Sequence, residues 1–170
     1  GAYLGMCSKA LGADMVIASL LLGTDEEANT RTISQFGDFV AQADALGMPL
    51  IGEFIPYGGI DRYRGDVGDL ALGTRACAEF GADLIKTVFV DGFQKIARTS
   101  IIPTLALGGG AFERPAQAFA QARTALKAGA AGVVYGRNVI CAKNPRTFLD
   151  SLLEVVKNGV DPEAAEKAYL

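Results

Sequence analysis

Residues 81–90 have the sequence Gly-Ala-Asp-Leu-Ile-Lys-Thr-Val-Phe-Val. A glycine corner followed by a run of apolar and β-branched residues is typical of a buried parallel strand. Lys86 interrupts this run, and three of the four residues that follow it are apolar. Burying an ammonium group is costly, so two interpretations stay open. Either Lys86 lies at the rim and its ammonium reaches water, or the strand ends in a functional site.

The second interpretation makes Lys86 a candidate nucleophile. An amine whose pKa is lowered by burial can attack a carbonyl and form a Schiff base. The chain contains no histidine, which excludes Ser-His and Cys-His nucleophiles and the usual His-rich zinc sites. Lysine, carboxylates, tyrosine, backbone amides or a bound cofactor remain to carry any chemistry.

A helix–glycine–strand pattern recurs along the chain. Its turn glycines are Gly12, Gly47, Gly81 and Gly129, and the first three are about 35 residues apart. Alternation at this period indicates parallel βα units. Thr24 is expected to begin the first complete helix as its N-cap. Strands are predicted at residues 15–20, 49–55, 81–90, 101–107 and 132–135, and helices at 24–47, 68–80, 92–98, 115–127, 145–158 and 161–170.

Five strands fit either an open doubly wound sheet or part of an eight-stranded barrel. Chemistry-bearing residues lie near the ends of successive strands, and glycine-rich loops follow the final two, as in barrels that bind phosphate. A dinucleotide fold would carry GxGxxG after its first strand, and that motif is absent there. We therefore predict a TIM (β/α)8 barrel. Because a whole barrel takes roughly 250 residues, residues 1–170 are expected to form one partial domain covering about the last five units.

Two short loops follow the last two predicted strands. Residues 108–110 are Gly-Gly-Gly, and residues 136–138 are Gly-Arg-Asn. Glycines let backbone N–H groups approach an anion closely, and an arginine adds charge-assisted hydrogen bonds to phosphate. Either loop alone is a weak signal, because a glycine after a strand is usually only a turn. Together, joined by one helix, they predict a phosphate site.

The composition excludes several classes of function. The net charge is −3 and the pI is near 5.0, so the chain lacks the basic surface that nucleic-acid partners require. It has no apolar run of membrane-spanning length and no signal-peptide pattern, which predicts a cytoplasmic protein without a membrane partner. The three cysteines are widely spaced, without CxxC, and are expected to be reduced thiols.

Three segments together resemble the DeoC/LacD-type class I aldolases: residues 81–87, 106–109 and 129–139. The order of lysine strand, Gly-Gly loop and Gly-Arg-Asn loop is specific, although no one of the three is. Within that superfamily the chain is similar to the archaeal-type fructose-bisphosphate aldolases, the aminodideoxy-heptulosonate synthases and the thiolase that degrades phosphorylated autoinducer-2. The similarity covers essentially the whole chain, aligned to the last five barrel strands.

The resemblance implies a site and a chemistry. Lys86 would be the Schiff-base lysine, and no metal or other cofactor is needed because the imine itself polarises the substrate. The resemblance also implies a homo-oligomer, often a decamer. Four residues would hold the phosphate of the substrate: Gly108, Gly109, Gly136 and Arg137.

Two departures from the family pattern affect this prediction. The family carries Tyr-Pro-Arg-Gly after the fifth barrel strand, and its tyrosine acts in acid–base chemistry, whereas residues 55–58 here are Ile-Pro-Tyr-Gly. Glu53, two residues earlier on the same strand face, is a candidate substitute, or else a structural partner of an arginine or of Lys86. The first three barrel strands, which in the family supply an aspartate near the lysine, have no counterpart in this sequence.

We therefore predict a lyase, a class I aldolase that makes or breaks a carbon–carbon bond in a phosphorylated ketose-like substrate, as a fructose-bisphosphate aldolase does. Lys86 and Glu53 are its predicted catalytic residues. Ser19, near the end of the first predicted strand, could also contact substrate. One alternative is a lysine-dependent thiolase or transferase of the phosphorylated autoinducer-2 type. Another is an FMN-dependent barrel oxidoreductase, which places its flavin phosphate on the same two loops, and a third is a non-catalytic phosphosugar-binding protein.

Overall fold

The structure is a computed structural model, and it describes residues 8–23, 25–56 and 66–170. Strands and helices alternate along the chain. The strands are β1 (Val16–Leu22), β2 (Leu50–Pro56), β3 (Leu84–Val88), β4 (Thr104–Leu107) and β5 (Gly132–Val134). The helices are α1 (Glu26–Leu46), α2 (Val67–Glu79), α3 (Phe93–Thr99), α4 (Pro115–Lys127), α5 (Arg137–Ile140), α6 (Pro145–Asn158) and α7 (Pro162–Tyr169). Within the described ranges, no helix is both long and apolar enough to cross a lipid bilayer.

All five strands are parallel and lie in the order β1-β2-β3-β4-β5. Each strand therefore pairs with the strand before it in sequence. A doubly wound sheet reverses its strand order at a switch point, whereas a barrel adds its strands in one direction. The observed order confirms the predicted barrel-type topology.

One face of the sheet packs against the helices. Successive residues of a strand point to opposite faces, and on one face of the first three strands apolar residues are buried in the main core. These residues include Ala18, Leu20, Leu50, Phe54 and Ile85. Burying such apolar side chains stabilises the fold by roughly 1.5–3 kcal/mol for each large one.

The opposite face is the one that points to the axis of a barrel, and we call it the open face. Ile17 and Leu21 on this face are each about half exposed. Strand pairing assigns the other members, because aligned residues of parallel strands share a face. The open face comprises Ile17, Ser19, Leu21, Ile51, Glu53, Leu84, Lys86, Val88, Leu105, Leu107, Gly132 and Val134.

Several predicted boundaries differ from those of the structure. Residues 101 and 102 are bends, and β4 begins only at Thr104, because Pro103 has no N–H to donate to a ladder. Strand β3 ends at Val88 rather than at residue 90. The carboxylate of Asp25 caps α1 by accepting a hydrogen bond from the N–H of Ala28 at 2.8 Å, one residue after the predicted cap, and Thr24 lies outside the described residues. Helix α5, with four residues, is too short for periodicity to predict.

An acidic residue at the corner before β3 aligns two strands. The Oδ2 atom of Asp83 accepts a hydrogen bond from the N–H of Leu50 at 2.8 Å, and the N–H of Asp83 donates to the Leu50 carbonyl at 2.9 Å. Gly81 makes the turn with a φ of +105°, a conformation that favours glycine. This corner therefore holds the register between β2 and β3.

Glycine at position 73 lets α2 lie close against β2. A Cβ atom at Gly73 would be 2.4 Å from the Phe54 ring, which is well inside van der Waals contact. Phe54 is 5% exposed and belongs to the main core. Its ring cannot move aside without disturbing close-packed neighbours.

We expect Gly73→Ala to lower the free energy of unfolding by about 1–3 kcal/mol, because the added methyl group overpacks this contact. Gly37→Ala is the matched control, since both glycines lie within helices and a Cβ at Gly37 meets nothing within 4 Å. There the gain in helix propensity should raise the free energy of unfolding by about 0.5–1 kcal/mol. Urea unfolding measures both changes, and equal stabilisation of the two variants would contradict the proposed packing.

A carboxylate on α7 fastens the C-terminal helices to the start of α4. The side chain of Glu166 is 9% exposed, and its Oε2 atom contacts the guanidinium of Arg114. Its Oε1 atom accepts a hydrogen bond from the N–H of Ala116 at 3.1 Å. The Arg114 guanidinium, and after it the Ala116 N–H, lower the pKa of Glu166 because both favour the charged carboxylate.

The lowered pKa predicts how stability depends on pH. Ionised Glu166 stabilises the fold above its unfolded pKa of about 4.3, and this contribution is lost as the pH falls through the lower folded value. We expect Glu166→Gln to lower the free energy of unfolding at neutral pH by roughly 1–3 kcal/mol, and its difference from wild type to shrink in acid. Glu163→Gln changes a more exposed partner of Arg114 and should cost less than about 1 kcal/mol. Urea unfolding across the acid range measures both, and a pH-independent difference would contradict the assignment.

Candidate active site

The strand register places three polar side chains next to one another. Ser19 in β1 is opposite Glu53 in β2, and Glu53 is opposite Lys86 in β3. Neighbouring strands lie about 4.8 Å apart, and aligned residues of parallel strands point to the same face. All three side chains therefore lie on the open face at one level of the sheet.

Glu53 contacts both of its neighbours. The Nζ atom of Lys86 is 2.7 Å from Oε1 of Glu53, and Oγ of Ser19 donates a hydrogen bond to Oε2 at 2.9 Å. The side chains of Lys86 and Glu53 are 18% and 13% exposed. Each carboxylate oxygen thus has its own partner, which restrains the orientation of the carboxylate.

The same contact bears on the two interpretations of Lys86. Its ammonium is neither in bulk water at the rim nor isolated among apolar groups, because it is ion-paired in a partly buried place. Of the two interpretations of Glu53, the one that makes it a partner of Lys86 agrees with this geometry. A contact of 2.7 Å is also within the distance at which a carboxylate exchanges a proton with an amine. The structural partnership and an acid–base role are therefore compatible.

The two glycine-containing loops leave the sheet together. Leu107 of β4 is opposite Val134 of β5, and the N–H of Gly108 donates to the carbonyl of Val134 at 3.1 Å. Both loops therefore begin at the same level of the carboxyl edge. This is the edge at which barrels build their sites.

The glycines of these loops occupy positions with different structural requirements. A Cβ at Gly108 would be 2.2 Å from the Tyr135 ring, so packing alone requires glycine there. Gly109 has a φ of +70°, and a Cβ at Gly109 or at Gly136 would meet nothing within 4 Å. The open space beside these two backbone segments could admit an anion. Arg137, which follows in the second loop, is exposed.

Asn138 joins the two loops. Its Nδ2 atom donates to the carbonyl of Gly110 at 3.0 Å, and its Oδ1 atom accepts from the N–H of Phe112 at 2.9 Å. Asn138 is only 7% exposed. Asn138 belongs to the predicted phosphate loop, but its contact with the other loop was not predicted, because no periodicity relates two loops that are 28 residues apart. The only signal for this contact in the sequence was a short amide side chain within a predicted phosphate loop.

The lysine and the loops occupy successive levels of the same sheet. Lys86 is opposite Leu105, and Gly108 follows three residues later, about 10 Å further along β4. Lys86 therefore lies one level below the first loop on the neighbouring strand, and Glu53 and Ser19 follow on the next two strands. Residues 57–65, which include Tyr57, lie outside the described residues.

The strand order and the loops at the carboxyl edge define a β/α-barrel protein. A comparison with protein families extends this, because the model of the DeoC/LacD family aldolases matches residues 7–142. The match covers most of the chain. The chain belongs to the DeoC/LacD aldolase family, which confirms the resemblance found in the sequence.

Two curated relatives have names that describe different reactions. The chain is 34% identical over 159 residues to 2-amino-3,7-dideoxy-D-threo-hept-6-ulosonate synthase of Halobacterium salinarum, which covers 91% of the chain and 58% of the relative. It is 32% identical over 161 residues to 3-hydroxy-5-phosphonooxypentane-2,4-dione thiolase of Yersinia enterocolitica, which covers 94% of the chain and 53% of the relative. The chain thus spans somewhat more than half the length of these relatives.

A solved structure with a similar fold is that of a Schiff base forming fructose-1,6-bisphosphate aldolase. The TM-score is 0.80 at 25% sequence identity, and the similarity covers 89% of this chain and 61% of the aldolase chain. The five parallel strands therefore form part of a TIM (β/α)8 barrel, as the sequence predicted.

Replacing Asn138 tests whether it holds the two loops together. We expect Asn138→Ala to lower the free energy of unfolding by about 1–2 kcal/mol, since two backbone partners lose their hydrogen bonds. We also expect faster amide exchange across residues 108–113. Hydrogen–deuterium exchange with mass spectrometry measures this. The control is Asn158→Ala, which removes only an exposed contact with Glu154 and should stay within about 0.5 kcal/mol of wild type; unchanged exchange in Asn138→Ala would refute the joining role.

Proposed function

We propose that this chain carries the active site of a class I aldolase, with Lys86 as the amine that forms a Schiff base with a phosphorylated ketose-like substrate. The observation that carries the proposal is the contact between Nζ of Lys86 and Oε1 of Glu53 at 2.7 Å, on the open face and below two glycine-containing loops. A lysine in this place is accessible to a substrate and has a proton acceptor in direct contact.

Glu53 prepares Lys86 for the first chemical step. An ammonium group is not a nucleophile, so Glu53 must take a proton from Nζ before the amine attacks the carbonyl carbon. The carbonyl oxygen receives one proton from the attacking nitrogen and one from Glu53, and it leaves as water. The protonated imine that results draws electrons from the adjacent carbon–carbon bond. Glu53 therefore acts as a general base toward Nζ and then as a general acid toward the departing oxygen.

The two loops bind the phosphate group. Gly109 and Gly136 offer backbone segments with open space beside them, and Arg137 adds a charge that suits phosphate. Gly108 contributes by keeping the Tyr135 ring close beneath the first loop. A phosphate held about 10 Å above the level of Lys86 leaves room for the lysine side chain and a short carbon chain. Remote binding of this kind positions the carbonyl for attack.

The comparisons support the class of reaction but leave the substrate open. One similar structure is named as a Schiff base forming aldolase, and the name of the Yersinia relative specifies a phosphonooxy diketone and a thiolase. We assign the aldolase reaction to this chain and keep the thiolase reaction as the second candidate. A cytoplasmic homo-oligomer, in which further barrel strands complete the site, is part of the same proposal.

Borohydride trapping tests the proposed Schiff base. We expect incubation with dihydroxyacetone phosphate and sodium borohydride to leave a covalent adduct on Lys86, because borohydride reduces the imine to a stable amine. Peptide mass mapping locates the adduct. Lys86→Arg should abolish it, whereas Lys95→Arg, which changes an exposed lysine on α3, should not. Dihydroxyacetone without phosphate should give at least about tenfold less adduct if the loops bind phosphate.

The alternatives give different results in the same preparation. Absence of an adduct on Lys86 with any phosphorylated ketone would refute the proposal, and a yellow protein with a flavin spectrum would favour the oxidoreductase. Phosphate-dependent binding without an adduct would favour a non-catalytic phosphosugar-binding protein.

A further inference from the structure

Ser19 is the one polar residue of the open face that the proposed function leaves without a task. Among the described residues of that face, only Ser19, Glu53 and Lys86 have polar side chains. Ser19 lies between Ile17 and Leu21 on its strand, and it is exposed toward the space above the open face. A serine in this setting is available to a substrate.

The hydrogen bond of Ser19 has a defined direction. Its Oγ donates to Oε2 of Glu53 at 2.9 Å, because an ionised carboxylate can only accept. The hydroxyl hydrogen is therefore committed to Glu53, and the lone pairs of Oγ remain to accept a hydrogen bond from a substrate. Glu53 uses its other oxygen, Oε1, for Lys86, so the two contacts do not compete.

We propose that Ser19 and Glu53 act together as the base for the carbon–carbon bond step, and that the site is built for a β-hydroxy ketone. This inference rests on the proposed Schiff base at Lys86. The ketone carbon of the substrate binds to Nζ of Lys86, and the hydroxyl group on the carbon to be released donates its hydrogen bond to Oγ of Ser19. Ser19 therefore contacts the reacting hydroxyl group and is a catalytic residue.

The proton and electron count of this step balances. The substrate hydroxyl gives its proton to Oγ of Ser19 while Ser19 gives its own proton to Oε2 of Glu53. The oxygen of the substrate forms a carbonyl, the carbon–carbon bond breaks, and its electron pair moves into the protonated imine to give a neutral enamine. Glu53 is then a neutral acid. It returns the proton to the enamine carbon, which restores the carboxylate.

The geometry fits the spacing that this substrate requires. Ser19 and Lys86 flank Glu53 across two strand spacings, about 10 Å between their backbones, and both side chains contact its carboxylate on the open face. In a β-hydroxy ketone the hydroxyl oxygen is three bonds from the carbonyl carbon. In the diketone named for the Yersinia relative this position is a carbonyl, and the hydroxyl group lies on the carbon between the two carbonyls, so no β-hydroxyl proton is there for Ser19 to take. The pair of Ser19 and Glu53 thus favours the aldol reaction over a thiolase reaction.

Ser19→Ala separates imine formation from bond cleavage. We expect borohydride trapping of dihydroxyacetone phosphate on Lys86 to stay within about twofold of wild type, because Oε1 of Glu53 keeps its contact with Nζ. Cleavage of a phosphorylated β-hydroxy ketone should fall about 100-fold in kcat, the usual size of a general-base contribution, with little change in KM. The probes are fructose 1-phosphate, fructose 6-phosphate and fructose 1,6-bisphosphate.

A second pair of variants at position 19 separates the effect of the hydroxyl group from the effect of side-chain shape. Thr and Val have the same shape, so Ser19→Thr should retain cleavage within about tenfold while Ser19→Val behaves as Ser19→Ala does. Far-UV circular dichroism verifies that each variant is folded. The solvent isotope effect on cleavage should be present in wild type and in Ser19→Thr, because a proton moves in that step.

Each other result overturns the inference. Equal cleavage by wild type and Ser19→Val would show that the hydroxyl is not used, and an equal loss of trapping and cleavage would show that Ser19 only maintains the structure. A wild-type protein that traps dihydroxyacetone phosphate but cleaves none of the three probes would show that the site does not take a β-hydroxy ketone. If wild type gives no adduct at Lys86, the proposed function itself fails, which distinguishes that result from the others.

Discussion

Glu53 contacts one residue on each neighbouring strand, and the candidate site depends on these two contacts. A carboxylate that is only 13% exposed is costly to keep charged unless its oxygens have partners. Lys86 supplies an opposite charge and Ser19 supplies a hydrogen bond. A shift of one residue in the register would turn Glu53 toward the helices and the apolar core. The register of the first three strands therefore determines which polar groups meet on the open face.

The helix-facing side of the sheet maintains that register. Small residues allow close approach there: a Cβ at Gly52 would be 2.9 Å from that of Cys77, and Gly73 lies against the Phe54 ring. Burial raises the pKa of the Cys77 thiol to about 12, so this cysteine serves packing rather than chemistry. Precise sites need such rigid support, because a displacement of about 1 Å is costly for catalysis. The helical layer thus fixes the strands while the open face carries the polar groups.

Membership of the DeoC/LacD aldolase family does not by itself define the reaction. The names of its relatives include a synthase and a thiolase, and one fold commonly supports several chemistries. The groups around Lys86 bear on the reaction more directly. A carboxylate at position 53 that holds both an amine and a serine hydroxyl can serve two successive proton transfers. The proposed aldol chemistry follows from this arrangement rather than from the fold.

The sequence by itself determined the repeating units, the parallel strands and the residues worth testing. Strand and helix periods, glycine corners and apolar runs are local patterns, so Lys86 and the two loops were visible in them. Tertiary structure alone decided which side chains meet. Ser19 and Glu53 are 34 residues apart, and Asn138 binds a loop 28 residues away. Such partners depend on register and side-chain direction across separate strands and loops, which no local period encodes.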